Sequence, residues 1–529
     1  MDKSTSVLIV GAGPVGLCLA LDLAWRGIDV TVVEERQPIG SISAKCNHVS
    51  SRTMETFRRL GIAAEVREAG LPGDYPHDVV FRTSGTGYEI GRLKIPCRNE
   101  RFGATEGIDT DWPTPEPPHR VNQIFFEPIL LRHALENPRI TIHDGTRFEE
   151  FREEEDGVSV ALRSSVTGET FEIRAQFLVG CDGGRSSVRR AMGASLHGDE
   201  VIQKVQSTFF RAPDLLQRLT PGPAWMSYLY TPERAGNLIA VDGQETWLLH
   251  NYLLPGEADF DVVDRDACLR LLLGVGADFS YEIIAREDWI GRRLVADRVR
   301  AGRAFICGDA AHLWVPYAGY GMNAGIADAM NISWLLGAHL GGWAPASILD
   351  AYEAERLPIT DQVSRFAMSH AKGAIGERTS ISPLIKEDSL AGEAERRRVG
   401  DAAAAFHQQQ FACAGLNFGY FYTGSPIIAY DGEDAPAYSM GGYEPSTVPG
   451  CRVPHIWLAD GRSLYDAMGR DYTLLRFDRN VDVTPMLRAA EACRVPLTLL
   501  DIDVDTVPPP YRHGLLLSRP DRHVAWRGD

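Results

Sequence analysis

The sequence is short of several features, and each shortage excludes a class of protein. Its nine cysteines are scattered from Cys18 to Cys493 and include no C-x-x-C pair. A zinc site, a dithiol redox couple and a disulfide framework are therefore not expected, and the cysteines read as reduced, mostly buried thiols. No segment offers the ~18 uninterrupted apolar residues of a membrane span. The N-terminal stretch MDKSTSVLIVGAGP has only a brief apolar run and no signal-cleavage pattern, so a cytoplasmic location is expected. Basic blocks that could neutralise phosphates along a duplex are missing too: 71 acidic residues outnumber 54 basic ones, for a formal charge of -17. Nucleic acid and membrane are not expected partners. Internal repeats and low-complexity tracts are absent.

What is present is an ordinary globular composition. With 529 residues and 44% hydrophobic content, the chain can bury a large core divided among roughly two to four domains. A β-rich run at Ser6 to Val10, helical spacing over Leu17 to Arg26 and a β-branched run at Asp29 to Val33 open the chain as a βαβ unit. Arg120 to Leu135 reads as a helix, and Ile140 to Leu162 as a hairpin turning at Glu155-Asp156-Gly157. Phe177 to Gly180 and Arg303 to Cys307 read as short buried strands. Between Val201 and Trp289, the runs Trp225 to Tyr230, Leu238 to Val241 and Thr246 to Tyr252 predict a separate antiparallel sheet, suited to covering a substrate. Met322 to Leu340 and Ala391 to Gln410 read as helices, Gly415 to Gly450 as a boundary segment, and Cys451 to Asp529 as a further domain.

Three motifs carry chemistry. The first is Gly11-Ala12-Gly13-Pro14-Val15-Gly16, between strand and helix, with Glu34 ending the next strand. Glycines permit the tight turn and let backbone approach a pyrophosphate at the positive helix end, while a carboxylate accepts from ribose hydroxyls; Glu35 is the alternative acid. The second is Gly180-Cys181-Asp182-Gly183-Gly184-Arg185-Ser186-Ser187-Val188-Arg189, directly after a buried strand. The third is Cys307-Gly308-Asp309-Ala310-Ala311-His312, continuing from Pro316 through Gly321, Met322 and Asn323 into a helix. A strand ending in Gly-Asp before a glycine-punctuated loop presents backbone N–H groups and a helix N-terminus to an electron-rich group. Asp309 can accept from a ribityl hydroxyl there, and the helix end suits a reduced flavin.

In this order and at these separations, the motifs resemble the single-component FAD-dependent aromatic hydroxylases, the family of para-hydroxybenzoate, phenol and polyketide hydroxylases. The resemblance extends over nearly the whole chain. It includes Arg52-Thr53-Met54-Glu55, Arg58-Arg59-Leu60-Gly61, Gln123 with Glu127, and the ending Leu517 to Arg527. It implies an α/β architecture: a Rossmann-like FAD-binding domain with an inserted antiparallel β-sheet substrate domain, and a C-terminal thioredoxin-like domain that here lacks CxxC. The expected division is FAD-binding over 1–75, a substrate-domain segment over 76–117, FAD-binding again over 118–200, and the substrate sheet over 201–290. The Gly-Asp and helical region then takes 291–410, and the thioredoxin-like domain 411–529.

Carried over residue by residue, the resemblance assigns the ADP half of FAD to Gly11, Gly13, Gly16 and Glu34. It assigns Asp182, Gly183 and Arg189 to the motif shared by FAD and NAD(P)H. Gly308, Asp309, Pro316, Gly321, Met322 and Asn323 go to the ribityl chain and ring, with Lys45, Arg52 and Gln123 as further cofactor contacts. Three positions depart from the family pattern: Glu35 and Lys45 stand where arginine is usual, and Tyr320 where glutamine is common. The implied reaction takes hydride from NAD(P)H, adds molecular oxygen at flavin C4a to form a hydroperoxide, and hydroxylates a phenolic or polyketide-like aromatic. A polar group must then withdraw the phenolic proton. His48 is the first candidate, with Asn47, Tyr228, Tyr230, His250 and Tyr252 as alternatives; His312 reads as structural. Baeyer–Villiger or epoxidising chemistry, and a flavin oxidase or dehydrogenase without oxygen insertion, are the rival functions. A homodimer is left open.

Overall fold

The run Val7 to Val10 cannot remain hydrated, and it forms the covered half of the first strand, Ser4–Val10. In the computed structural model, which describes residues 4–37, 44–315, 319–379, 381–504 and 507–529 except the Glu200 side chain, this strand is central to a parallel set. Val30–Val33 pairs along one side of it and Thr170–Gly180 along the other. Ile140–His143 extends the set beyond the former, and Ala304–Ile306 beyond the latter. A parallel sheet is covered on both faces, which is why its strands read as continuous apolar runs rather than alternating ones. The helices Pro14–Trp25 and Tyr320–Leu340 lie in contact within its core cluster. The hairpin Thr146–Glu154 with Gly157–Ser164 turns at Glu155-Asp156 and joins the sheet's antiparallel flank.

This topology decides where a ligand can lie. Glu34, Gly11, Cys181 and Cys307 each follow the last residue of one of four neighbouring parallel strands. The loops of all three motifs therefore emerge side by side at the carboxyl edge, where open α/β sheets keep their ligand crevice.

A second, nine-stranded sheet stands opposite. Its spine is the strand Leu196–Arg211, paired with Thr246–Tyr252, Trp289–Ala296 and Glu282–Arg286. Ala235–Ala240, Met226–Tyr230, Val79–Arg82 and Glu89–Leu93 continue it outward. At its other end sits the short strand His312–Leu313, antiparallel to Trp289–Ala296 through the pairs Leu294 with Leu313 and Val295 with His312. The Gly-Asp segment thus leaves the first sheet at Ile306 and joins the second at His312.

The C-terminal unit has four strands. Tyr472–Arg476 and Leu497–Asp501 run parallel, linked through the helix Thr484–Ala492, and Leu515–Ser518 and Val524–Gly528 add antiparallel. This order is compatible with a thioredoxin-like unit. Two buried carboxylates tie it to the rest. Glu355 accepts from both Arg519 guanidinium ends, from Asn331 and from Ser425. Glu55 accepts from Arg452 at 2.6 Å and Arg522 at 2.8 Å.

Two expectations need correction. The helix expected from Arg120 begins at Gln123, with Asn122 as its cap. Residues 119 and 120 are instead extended, because His119 forms a two-bond bridge with Val49. The stretch from Gly415 is no loose linker: Leu416, Tyr420, Tyr422, Ile428 and Met440 bury against Tyr320, Ile359 and Val363. The long helix Asp350–Arg378, which carries Pro358 inside it, falls in the region expected to be helical, 291–410, although no separate helix was expected there.

Candidate active site

Between the loops of the first sheet and the face of the second lies a cavity of about 1140 Å³. Its two halves differ in chemistry. Gly11, Gly13, Glu34, Lys45, Gln123, Asp182, Gly183 and Asp309 line one part, while Trp225, Met226, Tyr228, Ile239, His250, Trp289 and Phe411 line the other.

The glycine loop shows which positions the fold requires. At Gly11, with φ of 106°, a Cβ would meet the Cys181 carbonyl at 2.4 Å, and at Gly16 it would meet the Gly11 carbonyl at 2.0 Å. Both are fixed by packing, and Gly16 does not line the cavity. At Gly13 a Cβ would meet nothing within 4 Å among the described residues. The protein itself makes no demand for glycine there, so the demand comes from whatever fills the cavity. That cradle, set at a helix N-terminus, fits a pyrophosphate.

Glu34 accepts from the Ala12 N–H at 2.8 Å and from the Arg36 N–H and Nε, both at 2.9 Å. Burial favours its neutral form, but the hydrogen bonds from Arg36 and Ala12 hold its pKa below the usual carboxylate value. Glu35, the alternative acid, has a mostly exposed side chain and faces Arg147 at 4.0 Å.

The second motif is more internal than expected. Asp182 accepts from the Ser186 hydroxyl at 2.5 Å and the Ser187 N–H at 2.6 Å, capping the short helix Ser187–Ala191. Arg189 donates to the Ala310 and Gly184 carbonyls and so bolts this loop to the Gly-Asp loop.

In the third motif, Asp309 presents its carboxylate to the cavity and hydrogen-bonds to no described residue. The surrounding protein raises its pKa, against the charges of His312 and Lys45. Gly308 sits beneath, with Val15 and Gly325 too close to admit a side chain without adjustment. Asp328 anchors the loop from behind, accepting from the Gly308 N–H at 3.2 Å and from Arg356 at 2.7 Å, with His312 Nε2 at 2.7 Å. Gly319, Gly321 and Met322 bring the N-terminus of the helix Tyr320–Leu340 to the cavity wall. Pro316 lies outside the described residues.

Two of the other assigned contacts, Arg52 and Asn323, fall elsewhere. Arg52 is not on this wall; it faces a separate small cavity with Arg356 and Tyr320, its guanidinium over the Tyr420 ring at 4.5 Å. Asn323 is buried as a clamp, accepting from the Ser50 N–H and Thr53 Oγ1 and donating to the His48 and Gly319 carbonyls. Gln123 lines the cavity and donates to Glu127 at 2.6 Å. Burial, the largest influence on Glu127, pushes its pKa up.

Of the catalytic candidates, Asn47, His48, Tyr228, His250 and Tyr252 line the cavity. Tyr230 does not: it is buried behind the sheet against Glu377 and His407. Asn47 accepts from Asn122 at 2.5 Å. The Tyr228 hydroxyl accepts from Gln410 at 2.7 Å. Burial pulls the His250 pKa down to about 4, so its imidazole is neutral at pH 7. Sequence reasoning missed Arg120, Gln410 and Phe411. The first was hidden in a presumed helix, and the other two reach the cavity from the end of a helix far along the chain.

Comparison with known proteins agrees with this geometry. The family described as FAD binding domain matches residues 4–367, and that described as aromatic-ring hydroxylase, C-terminal, matches residues 446–529. The FAD-dependent monooxygenase apdD of Emericella nidulans is 32% identical, over 99% of this chain and 87% of its own. Among solved structures, the rebeccamycin biosynthetic enzyme RebC with reduced flavin superposes with a TM-score of 0.89 at 33% identity, covering 100% of this chain and 96% of that one. Aklavinone-11 hydroxylase, in a ternary complex with FAD and aklavinone, has a TM-score of 0.82 at 27% identity, covering 100% and 96%.

Proposed function

This chain belongs to the FAD-dependent aromatic-ring hydroxylases, monooxygenases that use NAD(P)H and molecular oxygen, and we propose that it hydroxylates a polycyclic phenol of the polyketide-like kind. One observation carries the reading: a single cavity joins three cofactor-type loops to an apolar aromatic wall. Aklavinone, bound by one structural relative, is of this substrate class.

Gly11, Gly13 and Glu34 would hold the ADP half of FAD. Asp309, Gly321 and Met322 would hold the ribityl and ring end, with Lys45 and Gln123 beside them; Gly16, Gly308, Arg189 and Asn323 shape the loops from behind. When bound, FAD supplies hydride acceptance from NAD(P)H and activation of dioxygen. The protein's part is positioning, dryness and proton control. Trp225, Trp289, Trp314 and Phe411 would keep water from the substrate half, so that activated oxygen is not lost as hydrogen peroxide. His48 would take the phenolic proton, because an imidazole accepts one near neutral pH and a phenolate is the better nucleophile. Tyr228, set by Gln410, and His250, neutral by burial, would orient the ring through hydrogen bonds.

The test is turnover of a panel of mono- and polycyclic phenols under labelled dioxygen with the yellow purified protein. Substrate-stimulated NAD(P)H oxidation with one labelled oxygen atom in the product is expected. Stimulated oxidation that yields only hydrogen peroxide across the panel, or label absent from an oxidised product, would sink the reading.

A further inference from the structure

The cavity wall contains a buried cation with no assigned role. Arg120 is 1% exposed, yet it lines the cavity, and its Nε and Nη1 have no hydrogen-bond partner among the described residues. Only Nη2 is engaged, donating to Asp109 at 2.7 Å. The guanidinium lies over the Trp225 ring at 5.0 Å, a contact that uses its flat face and leaves its edge donors available.

Its charge is also unbalanced. Asp109 is shared with Arg101, whose Nη1 lies 3.1 Å away, so one carboxylate serves two guanidiniums. The buried His77 and His119 do not help: both are held neutral, by burial first, then by neighbouring arginines at His119 and by His119 and arginines at His77. Two other cavity carboxylates are committed elsewhere, Glu34 to Arg36 and Asp288 to Arg265, and none of the cavity carboxylates pairs with Arg120 among the described residues. Buried guanidiniums are ordinarily paired and fully hydrogen-bonded. A buried one with open donors at a cavity wall, carrying net positive charge, is built for a ligand anion.

The backbone aims it at the reacting region. Val49 and His119 are bridge partners in an antiparallel pair, which sets His48 and Arg120 one step along the two crossing segments, and both line the same cavity. We infer that Arg120 is an anion subsite, and that the substrate carries a carboxylate on its aromatic framework, held by Arg120 while the phenolic oxygen lies toward His48. This deepens the hydroxylase reading and rests on it.

Binding of 3-hydroxy-2-naphthoate and of 2-naphthol to the FAD-loaded protein, followed by perturbation of the flavin absorbance, tests the idea with probes that differ only by the carboxylate. The wild type should bind the naphthoate roughly tenfold tighter or better, the effect of one charge-assisted hydrogen bond. Arg120→Met should lose that preference while keeping its affinity for 2-naphthol, and Arg120→Lys, which keeps the charge, should retain part of it. Thermal melting and FAD content check that each variant is folded; should the methionine variant fail there, the wild-type ratio and the lysine variant decide. Equal binding of the two probes to the wild type, binding of neither, or an undiminished preference in a folded Arg120→Met would overturn the subsite. Turnover of neutral phenols in the same preparation would show that the hydroxylase reading survives that loss, whereas absence of all phenol-stimulated NAD(P)H oxidation would remove both.

Discussion

Replacing Gly13 by alanine separates what the fold requires from what the cofactor requires. Gly13 has φ of -76° and ψ of 179°, a conformation open to any residue, and an added Cβ meets no described atom within 4 Å. In the apoprotein the substitution should be neutral or stabilising by about 0.4–1 kcal/mol, through the reduced freedom of the unfolded chain. FAD should notice the methyl at once. Loss of one charge-assisted hydrogen bond from loop to pyrophosphate costs about 1.5–3 kcal/mol, or roughly ten- to hundredfold in Kd. The stabilisation that FAD confers at a fixed concentration then shrinks by up to roughly 2.7 kcal/mol. Gly16→Ala is the contrasting control: its Cβ would lie 2.0 Å from the Gly11 carbonyl, a backbone atom that cannot step aside. That variant should lose on the order of 1–3 kcal/mol or more with or without FAD. Melting curves by circular dichroism, with and without added FAD, together with flavin fluorescence titration, measure both effects. Wild-type FAD affinity in Gly13→Ala, or an apoprotein as damaged as that of Gly16→Ala, would refute the placement of the pyrophosphate.

Asp309→Ala should weaken FAD retention by about 1–3 kcal/mol through the missing acceptor, read as flavin lost on gel filtration; full occupancy with normal reduction would place the ribityl chain elsewhere. His48→Ala should uncouple the reaction, with NAD(P)H oxidation persisting while product falls and peroxide rises, and coupling should recover as the pH approaches the phenol's own pKa. Full coupling at neutral pH would pass the role to Tyr228, His250 or Tyr252. Glu55 predicts an acid transition: burial opposes its ionisation, but Arg452 and Arg522 hold its pKa at about 2 against an ordinary 4.5. A depressed carboxylate stabilises the fold fully above its unfolded value, and that contribution is lost as pH falls through the folded one. Docking of the C-terminal unit should therefore weaken between about pH 4.5 and 2, and Glu55→Gln should cost on the order of 3 kcal/mol at pH 7 and flatten this acid limb of the stability–pH curve.

The architecture was legible wherever local pattern and tertiary role coincide. The opening βαβ unit and the hairpin at Glu155-Asp156 announce themselves because buried parallel strands must be apolar throughout, and turns need particular residues. The cofactor loops were legible because glycine and acid spacing are backbone requirements. What stayed hidden depends on distant partners. Nothing local marks residues 119 and 120 as paired with the His48 loop, so helical spacing won there. Arg52 was assigned through the family resemblance and Tyr230 through its place on the predicted sheet, yet one turns to Tyr420 and the other to Glu377. Gln410 and Phe411 reach the cavity only through the packing of the helix Leu390–Phe411, which no motif records.

The short strand His312–Leu313 is the seam at which the two sheets are sewn together, only a few residues beyond Asp309. A substrate seated against the covering sheet would bear on this stitch, which leads straight back to Asp309. The flavin should therefore act as a gauge of occupancy, its absorption bands moving when a ligand seats even before any electron is transferred. The same seam sets a rule for recombination: a covering sheet borrowed from a relative must bring the segment from Gly308 to Leu313 with it, because a crossover on either side would leave one sheet sewn to a stranger.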